Sequence, residues 1–157
     1  MTRAIDWFDH AISSVSRHER ELGDSAPYIV ERLTTVLLER LPSDLSNRML
    51  RMLPREVALS HEALHRPADS AGDRTIGYVA FVAAAHDAIG VCEGKLAEHA
   101  RSDDGDAFCR KIVDAFLWAV AQELPADMKA AFVGSLPGEL RSRMNIYSDV
   151  AEGSQVA

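Results

Sequence analysis

Apolar residues recur at steps of three and four along most of the chain, and the first series contains Ile5, Phe8, Ile12 and Val15. This spacing places side chains on one face of an α-helix. The same spacing recurs in Ile29, Leu33, Val36 and Leu37; in Leu45 and Met49; in Ile76, Val79, Val82, Ala83 and His86; and in Phe108, Ile112, Phe116, Ala119 and Val120. No segment alternates apolar and polar residues for long enough to indicate a strand. The predicted fold class is therefore all-α.

Four Leu-Pro pairs separate the predicted helices. Proline has no backbone N–H and a preset φ, so it suits the first position of a helix and disfavours helical geometry in the residue before it. Each pair is predicted to be a corner, where one helix ends, the leucine fills the gap and the next helix begins. An acidic residue two positions after each proline would lie near the positive end of the new helix dipole. The pairs and their acids are Leu41-Pro42 with Asp44, Leu53-Pro54 with Glu56, Leu124-Pro125 with Asp127, and Leu136-Pro137 with Glu139.

The first two corners, in residues 41–57, return 83 positions later in residues 124–140. The register extends upstream, where Ile29-Val30 corresponds to Ile112-Val113. Two halves of this kind can bury their apolar sides against each other about a pseudo-two-fold axis. The prediction is a single domain, 1–157, folded as a compact helical bundle of two pseudo-repeats of about four helices each. Its parts are pseudo-repeat one at 2–66, a linker at 67–73, pseudo-repeat two at 74–147 and a loose tail at 148–157.

Three helix boundaries are predicted from residues that cap or interrupt helices. Gly23 is expected to end the first helix, because glycine is common just after a helix C-terminus. Pro67 is expected to end a fourth helix that runs from Arg55 to about Arg66. Asp106 is expected to cap the long helix of the second half.

The 157 residues carry a formal net charge of −7 and are 47% apolar. The apolar content is that of an ordinary globular domain, and the negative charge disfavours nucleic acid and membrane surfaces as partners. The two cysteines, Cys92 and Cys109, form no close pair, so neither a disulfide framework nor a CxxC motif is predicted. Arg3 and Asp6 introduce charge too early for a signal peptide, and no apolar run is long enough for a membrane span. A cytoplasmic protein is expected.

The helix before the first corner reads Ile-Val-x-x-Leu-x-x-Val-Leu-x-x-Arg-Leu-Pro from Ile29 to Pro42. The two units close on Leu53-Pro54-Arg55-Glu56-Val57 and Leu136-Pro137-Gly138-Glu139-Leu140. Over residues 2–147 this pattern resembles a bacterial family catalogued as domain of unknown function 2267. The resemblance implies tandem helical repeats and no established activity, so it assigns no catalytic residue. The region 93–106 departs from the pattern, because it makes the approach to the second unit longer than in the first.

One motif carries chemistry: His61-Glu62-Ala63-Leu64-His65 reads H-E-x-x-H. On a helix, His61 and His65 would project from one face and could bind zinc, with Glu62 placed to activate a bound water. A catalytic zinc also needs a third protein ligand. The candidates for that ligand are Glu93, Glu98, His86 and His99.

Three observations weigh against a zinc site. Pro67 follows the motif closely, no strand is predicted to hold a substrate, and His61 shares a helical stripe with Val57 and Leu64 that faces the core. The sequence therefore predicts a non-enzymatic protein-interaction or scaffold module without a cofactor, acting through an unknown protein partner or self-association. The alternative is a zinc-dependent hydrolase that uses His61, Glu62 and His65. A third possibility, a small-molecule-binding bundle, would require a cavity between the pseudo-repeats.

Overall fold

The computed structural model describes residues 7–62, 67, 72, 76–92, 98 and 102–143, without the side chains of His18 and Glu21. Within these residues it contains helices and no strand, so the all-α prediction is confirmed. The helices are α1 Trp7–His18, α2 Ala26–Arg40, α3 Ser43–Arg51, α4 Arg55–Ser60, α5 Tyr78–Val91, α6 Gly105–Glu123, α7 Ala126–Ser135 and α8 138–143. A short 3-10 segment, Arg20–Ser25, links α1 to α2. Most of the predicted linker and the whole predicted tail lie outside the described residues.

The Leu-Pro pairs form the predicted corners. Leu41 and Leu124 leave their helices in an extended conformation, with φ/ψ of −75°/152° and −79°/145°. The next residue in each case is a proline that begins the following helix, and Asp44 and Asp127 lie in the first turns of α3 and α7. All four corner leucines are buried, which confirms that they fill the gaps between successive helices.

The core forms around the two longest helices, α2 and α6. Helix α1 packs along α6, and α5 packs against both α2 and α6. Nδ1 of His10 lies 2.7 Å from Glu123, and Lys111 lies 3.9 Å from Glu19, so α1 and α6 run antiparallel. At the start of α1, the indole of Trp7 is fully buried and donates a hydrogen bond to the Met49 carbonyl in α3 at 3.2 Å. The N-terminal helix is thus held by the second half of the chain as well as by its own half.

Most of the predicted buried positions are confirmed. Ile12 and Val36 are only half-buried, and Ile5 lies outside the described residues. The confirmed core positions are Phe8, Val15, Ile29, Leu33, Leu37, Leu45, Met49, Phe108, Ile112, Phe116, Ala119 and Val120. No helix in the described part of the chain is long and apolar enough to cross a bilayer.

Helix α5 turns a different face to the core from the predicted one. The structure exposes Val79 and Ala83 and leaves His86 half-buried, whereas all three were expected on the buried face. The residues of α5 that do face the core are Tyr78, Phe81, Val82, Ala85, Ala88 and Ile89. Because nearly every residue of α5 is apolar, the spacing alone does not define which face is buried.

Three boundaries differ from the prediction. Helix α1 ends at His18, and Gly23 instead lies inside the 3-10 segment with a left-handed φ of 52°. Helix α4 ends at Ser60, well before Arg66, and none of its residues is fully buried, so core packing does not extend it. Helix α6 begins two residues earlier than expected, with Asp104 instead of Asp106 at its N-cap, which places Asp106 in the first turn.

Among the glycines compared, Gly72 lies closest to the backbone of another segment. A Cβ at this position would overlap the carbonyl oxygen of Arg40, at the first corner. We expect Gly72→Ala to lower the free energy of unfolding by about 1–3 kcal/mol, because the added methyl group must displace backbone. Gly77→Ala is the matched control, since a Cβ there meets no atom within 4 Å. Denaturant unfolding of the two variants checks this, and equal stabilities would contradict the close approach.

Candidate functional site

His61 lies directly after α4 and is buried, with 3% of its surface exposed. Nδ1 of the ring is 2.8 Å from the Val57 carbonyl, and Nε2 is 3.0 Å from the Thr35 hydroxyl. A carbonyl only accepts, so Nδ1 carries a proton, and Nε2 is the only ring nitrogen that could bind a metal. That nitrogen is already in contact with Thr35. The ring therefore ties the end of α4 to α2.

The other residues of the H-E-x-x-H motif do not complete a metal site in the described part of the chain. Glu62 is exposed, and His65 lies outside the described residues. Of the four candidate third ligands, Glu93 and His99 also lie outside, Glu98 is exposed, and His86 is half-buried on α5. No three His, Cys, Asp or Glu side chains of the described residues come together as metal ligands.

A second group of polar residues joins α5, α6 and α8. Asp114 lies on α6 with 7% of its surface exposed. Its carboxylate accepts hydrogen bonds from Arg143 at 2.9 Å and 3.4 Å and from the Tyr78 hydroxyl at 3.2 Å. The guanidinium carbon of Arg143 is 5.2 Å from the centre of the Tyr78 ring, a cation–π distance. Because the acid is buried, these three side chains fix the position of α8 on α5 and α6.

This network shifts the pKa values of its members. Burial, then the Asp114 charge, raises the pKa of Tyr78 to about 12. Burial also raises the pKa of Asp114, and the hydrogen bonds and charge of Arg143 offset only part of that effect. The hydrogen bond to Asp114 raises the pKa of Arg143, which stays protonated. The phenol and the guanidinium therefore act here as fixed hydrogen-bond donors, not as groups that exchange protons near neutral pH.

A cleft of about 300 Å³ lies beside this network. Asp106 in the cleft is 2.8 Å from Arg110 and 3.7 Å from His86. The cleft is lined by Tyr78, Val79, Val82, Ala83, His86, Asp106, Arg110, Glu139 and Arg143. Of the charged groups that line it, Asp106 and Arg110 pair with each other, and Arg143 pairs with Asp114 beside the cleft. It lies within the second half of the chain, so it is not the cavity between pseudo-repeats that a small-molecule bundle would require.

The outer face of α5 is the remaining candidate. We define it as Val79, Ala83, Asp87, Gly90 and Val91, the residues of the helix that are exposed. They follow one another at helical spacing and form one stripe. The exposed fractions of Val79 and Val91 are 82% and 70%. The side of α1 that points to solvent carries Asp9, His10, Ser13 and Arg17 instead. Two helices that pack alike on the core thus expose surfaces of opposite character.

Sequence reasoning overlooked Asp114, Arg143 and the outer face of α5. A signal for Asp114 exists, because it is the only charged residue in the apolar run from Ile112 to Gln122. An acid at a core position of a helix requires a partner. The identity of that partner is not readable from the sequence, since Arg143 lies 29 residues away.

Tyr78 gives a pH dependence that can be measured. A raised pKa in the folded state means that this phenol contributes stability fully below pH 10, its ordinary pKa, and loses it as the pH rises through about 12. We expect a tyrosinate absorbance phase near pH 12 in the wild type that is absent in Tyr78→Phe. Tyr28→Phe, at an exposed tyrosine, is the control. If the Tyr78→Phe titration keeps the late phase, the buried hydrogen bond to Asp114 is wrong.

His61 is predicted to act in structure and not in metal binding. We expect His61→Ala to cost about 1–3 kcal/mol of unfolding free energy without added metal, because Thr35 and the Val57 carbonyl lose a buried partner. Glu62→Gln, one residue further along, should leave stability unchanged. Thermal unfolding with and without zinc, together with metal analysis, checks both. About one zinc per wild-type chain, lost in His61→Ala, would contradict the structural role.

Comparison with protein-family models, with curated proteins and with solved structures finds no match to this chain. The resemblance to the family of unknown function therefore stays a prediction that rests on the repeated corner motif.

Proposed function

We propose that this chain is a protein-interaction module without catalytic activity, and that its contact surface is the outer face of α5. One observation carries the proposal. Apart from the buried Tyr78, helix α5 has only two residues with ionisable side chains, His86 and Asp87, yet one side of it is open to solvent and presents Val79 and Val91 at 82% and 70% exposure. A helix that is apolar on all sides is typically covered on all sides.

Exposed apolar surface has a free-energy consequence that favours a partner. Fully burying a valine side chain is worth on the order of 1.5–3 kcal/mol. Val79 and Val91 lie at opposite ends of the same stripe, with Ala83, Asp87 and Gly90 between them. A partner that covers the whole stripe would bury both valines, and small residues between them let a second backbone approach closely.

The other helices support this role, because they form a scaffold that holds α5 in place. We propose that the two halves are pseudo-repeats of one unit, because α2, α3 and α4 correspond to α6, α7 and α8 at the spacing of 83 residues. Each unit also ties its last helix back to its long helix through a polar side chain. Thr35 contacts His61 in the first unit, and Asp114 binds Arg143 in the second.

We further propose that the protein works in a reducing compartment such as the cytoplasm. Cys92 and Cys109 are both free thiols, and Cys109 is fully buried in α6. Burial raises the pKa of Cys109 to about 11, so this thiol is inert near neutral pH. Neither cysteine is needed for the proposed contact.

A photo-crosslinking amino acid at single positions tests the contact surface in living cells. We expect position 79 and position 91 to give covalent adducts, and Ser13, on the solvent side of α1, to give none. A Val91→Lys substitution should also suppress the adduct formed from position 79, because both positions belong to one surface. Mass spectrometry of the adducts identifies the peptide that is contacted. Equal adduct formation at all three positions, or none at 79 and 91, would rule out the outer face of α5 as the contact surface.

A further inference from the structure

We infer that the partner of the outer face of α5 is a second copy of the same chain, bound antiparallel through α5 about a two-fold axis that crosses the outer face at the level of Ala85 along the helix. This inference rests on the proposed function, because it names the partner of the same surface. Closed two-fold dimers are the commonest soluble assemblies, and their interface is one patch that contacts itself. The patch must therefore be complementary to its own copy turned around.

The spacing of the outer face has this property. Val79 and Val91 lie six residues before and after Ala85, and Ala83 and Asp87 lie two residues before and after it. In an antiparallel pair, Val79 of one copy therefore lies opposite Val91 of the other, so each dimer forms two valine–valine contacts. The half-buried Ala80 lies opposite Gly90 in the same way. Two small residues thus face each other at Ala80 and Gly90, where the two backbones can approach closely.

Charge selects the antiparallel arrangement over the parallel one. Asp87 is the only ionisable residue on the outer face, and the half-buried His86 lies beside it. A parallel pair in register would place Asp87 opposite Asp87, and like charges that face each other are unfavourable. An antiparallel pair instead places Asp87 opposite Ala83 of the partner. His86 also lies 3.7 Å from Asp106 of its own chain, which holds the ring at the edge of the stripe.

The contact also suits the charge of the whole molecule. The chain has a formal net charge of −7, which opposes self-association over most of its surface. The outer face carries one acid among five residues, so two copies that meet there bring few like charges together. In an antiparallel pair, the positive end of each helix dipole also lies beside the negative end of the other, which is favourable.

Cysteine pairing tests the orientation directly. In a Cys92→Ser background, Val79→Cys and Val91→Cys chains with different tags are purified, mixed and oxidised in a glutathione buffer. Cys109 stays in place, because burial raises its pKa to about 11. Twelve residues of helix span about 18 Å, so an antiparallel pair joins position 79 to position 91 and separates the two copies of position 79. Disulfides require Cα atoms within about 7 Å.

We expect the mixed 79–91 disulfide to be the main covalent dimer, several-fold above either homodimer, and Ser13→Cys to give no dimer. Light scattering of the Cys92→Ser chain without an added cysteine should show a dimer that Ala83→Glu converts to monomer with its helical content unchanged. A main product joining 79 to 79 overturns the antiparallel arrangement. A chain that stays monomeric and forms no mixed disulfide overturns the inference. If such a monomer still gives specific adducts from position 79 in cells, the proposed function stands and only the identity of the partner falls.

Discussion

The burial of a leucine immediately before a proline is the constraint on which the rest of the structure depends. Proline cannot donate the hydrogen bond that would continue a helix, so α2 and α6 end at Arg40 and Glu123, immediately before Leu41 and Leu124. Each leucine is buried at the corner and fixes the direction in which the next helix leaves. The chain therefore turns back on itself after both long helices, and the short helices α3 and α7 come to lie beside each other. Arg48 and Asp127 join them at 2.8 Å, and the hydrogen bond from Arg48 lowers the pKa of Asp127.

Polar side chains fix the short helices that follow the corners to the long helices. A short helix such as α4 or α8 buries little apolar surface and has little intrinsic stability. His61 and Arg143 each supply a specific bond from the end of such a helix to a long helix. The bond between Arg143 and Asp114 requires burial of a charged carboxylate, which is unfavourable. Burial raises the pKa of Asp114 despite the nearby guanidinium. An apolar pair at this place could be equally stable, so the polar pair is better explained by the fixed position that it gives to α8.

The corners and the faces of α2, α3 and α6 were predictable from the sequence, because prolines mark the boundaries and polar residues separate the apolar stripes. The buried face of α5 was not, since Val79 and Val82 are equally apolar and only the packing against α2 and α6 distinguishes them. The contact of α1 with α6 joins residues as far apart as His10 and Glu123, and no local pattern encodes it. The H-E-x-x-H motif can be recognised in the sequence. The end of α4 at Ser60 cannot, because it depends on packing.

The nearly all-apolar sequence of α5 made its buried face unpredictable, and it also supports the proposed function. The buried face of a helix with no clear polar side cannot be predicted from its sequence, because such a helix has too few polar residues to form a solvated face. A partner that binds the exposed apolar face would remove it from water. The account therefore depends on whether the two valines of the outer face meet across a dimer. Methyl NMR on a mixture of differently labelled chains measures this directly. We predict intermolecular nuclear Overhauser effects between Val79 and Val91 methyl groups, which lie about 18 Å apart within one helix and cannot arise within one chain. Their absence at concentrations where the protein is dimeric would contradict the account.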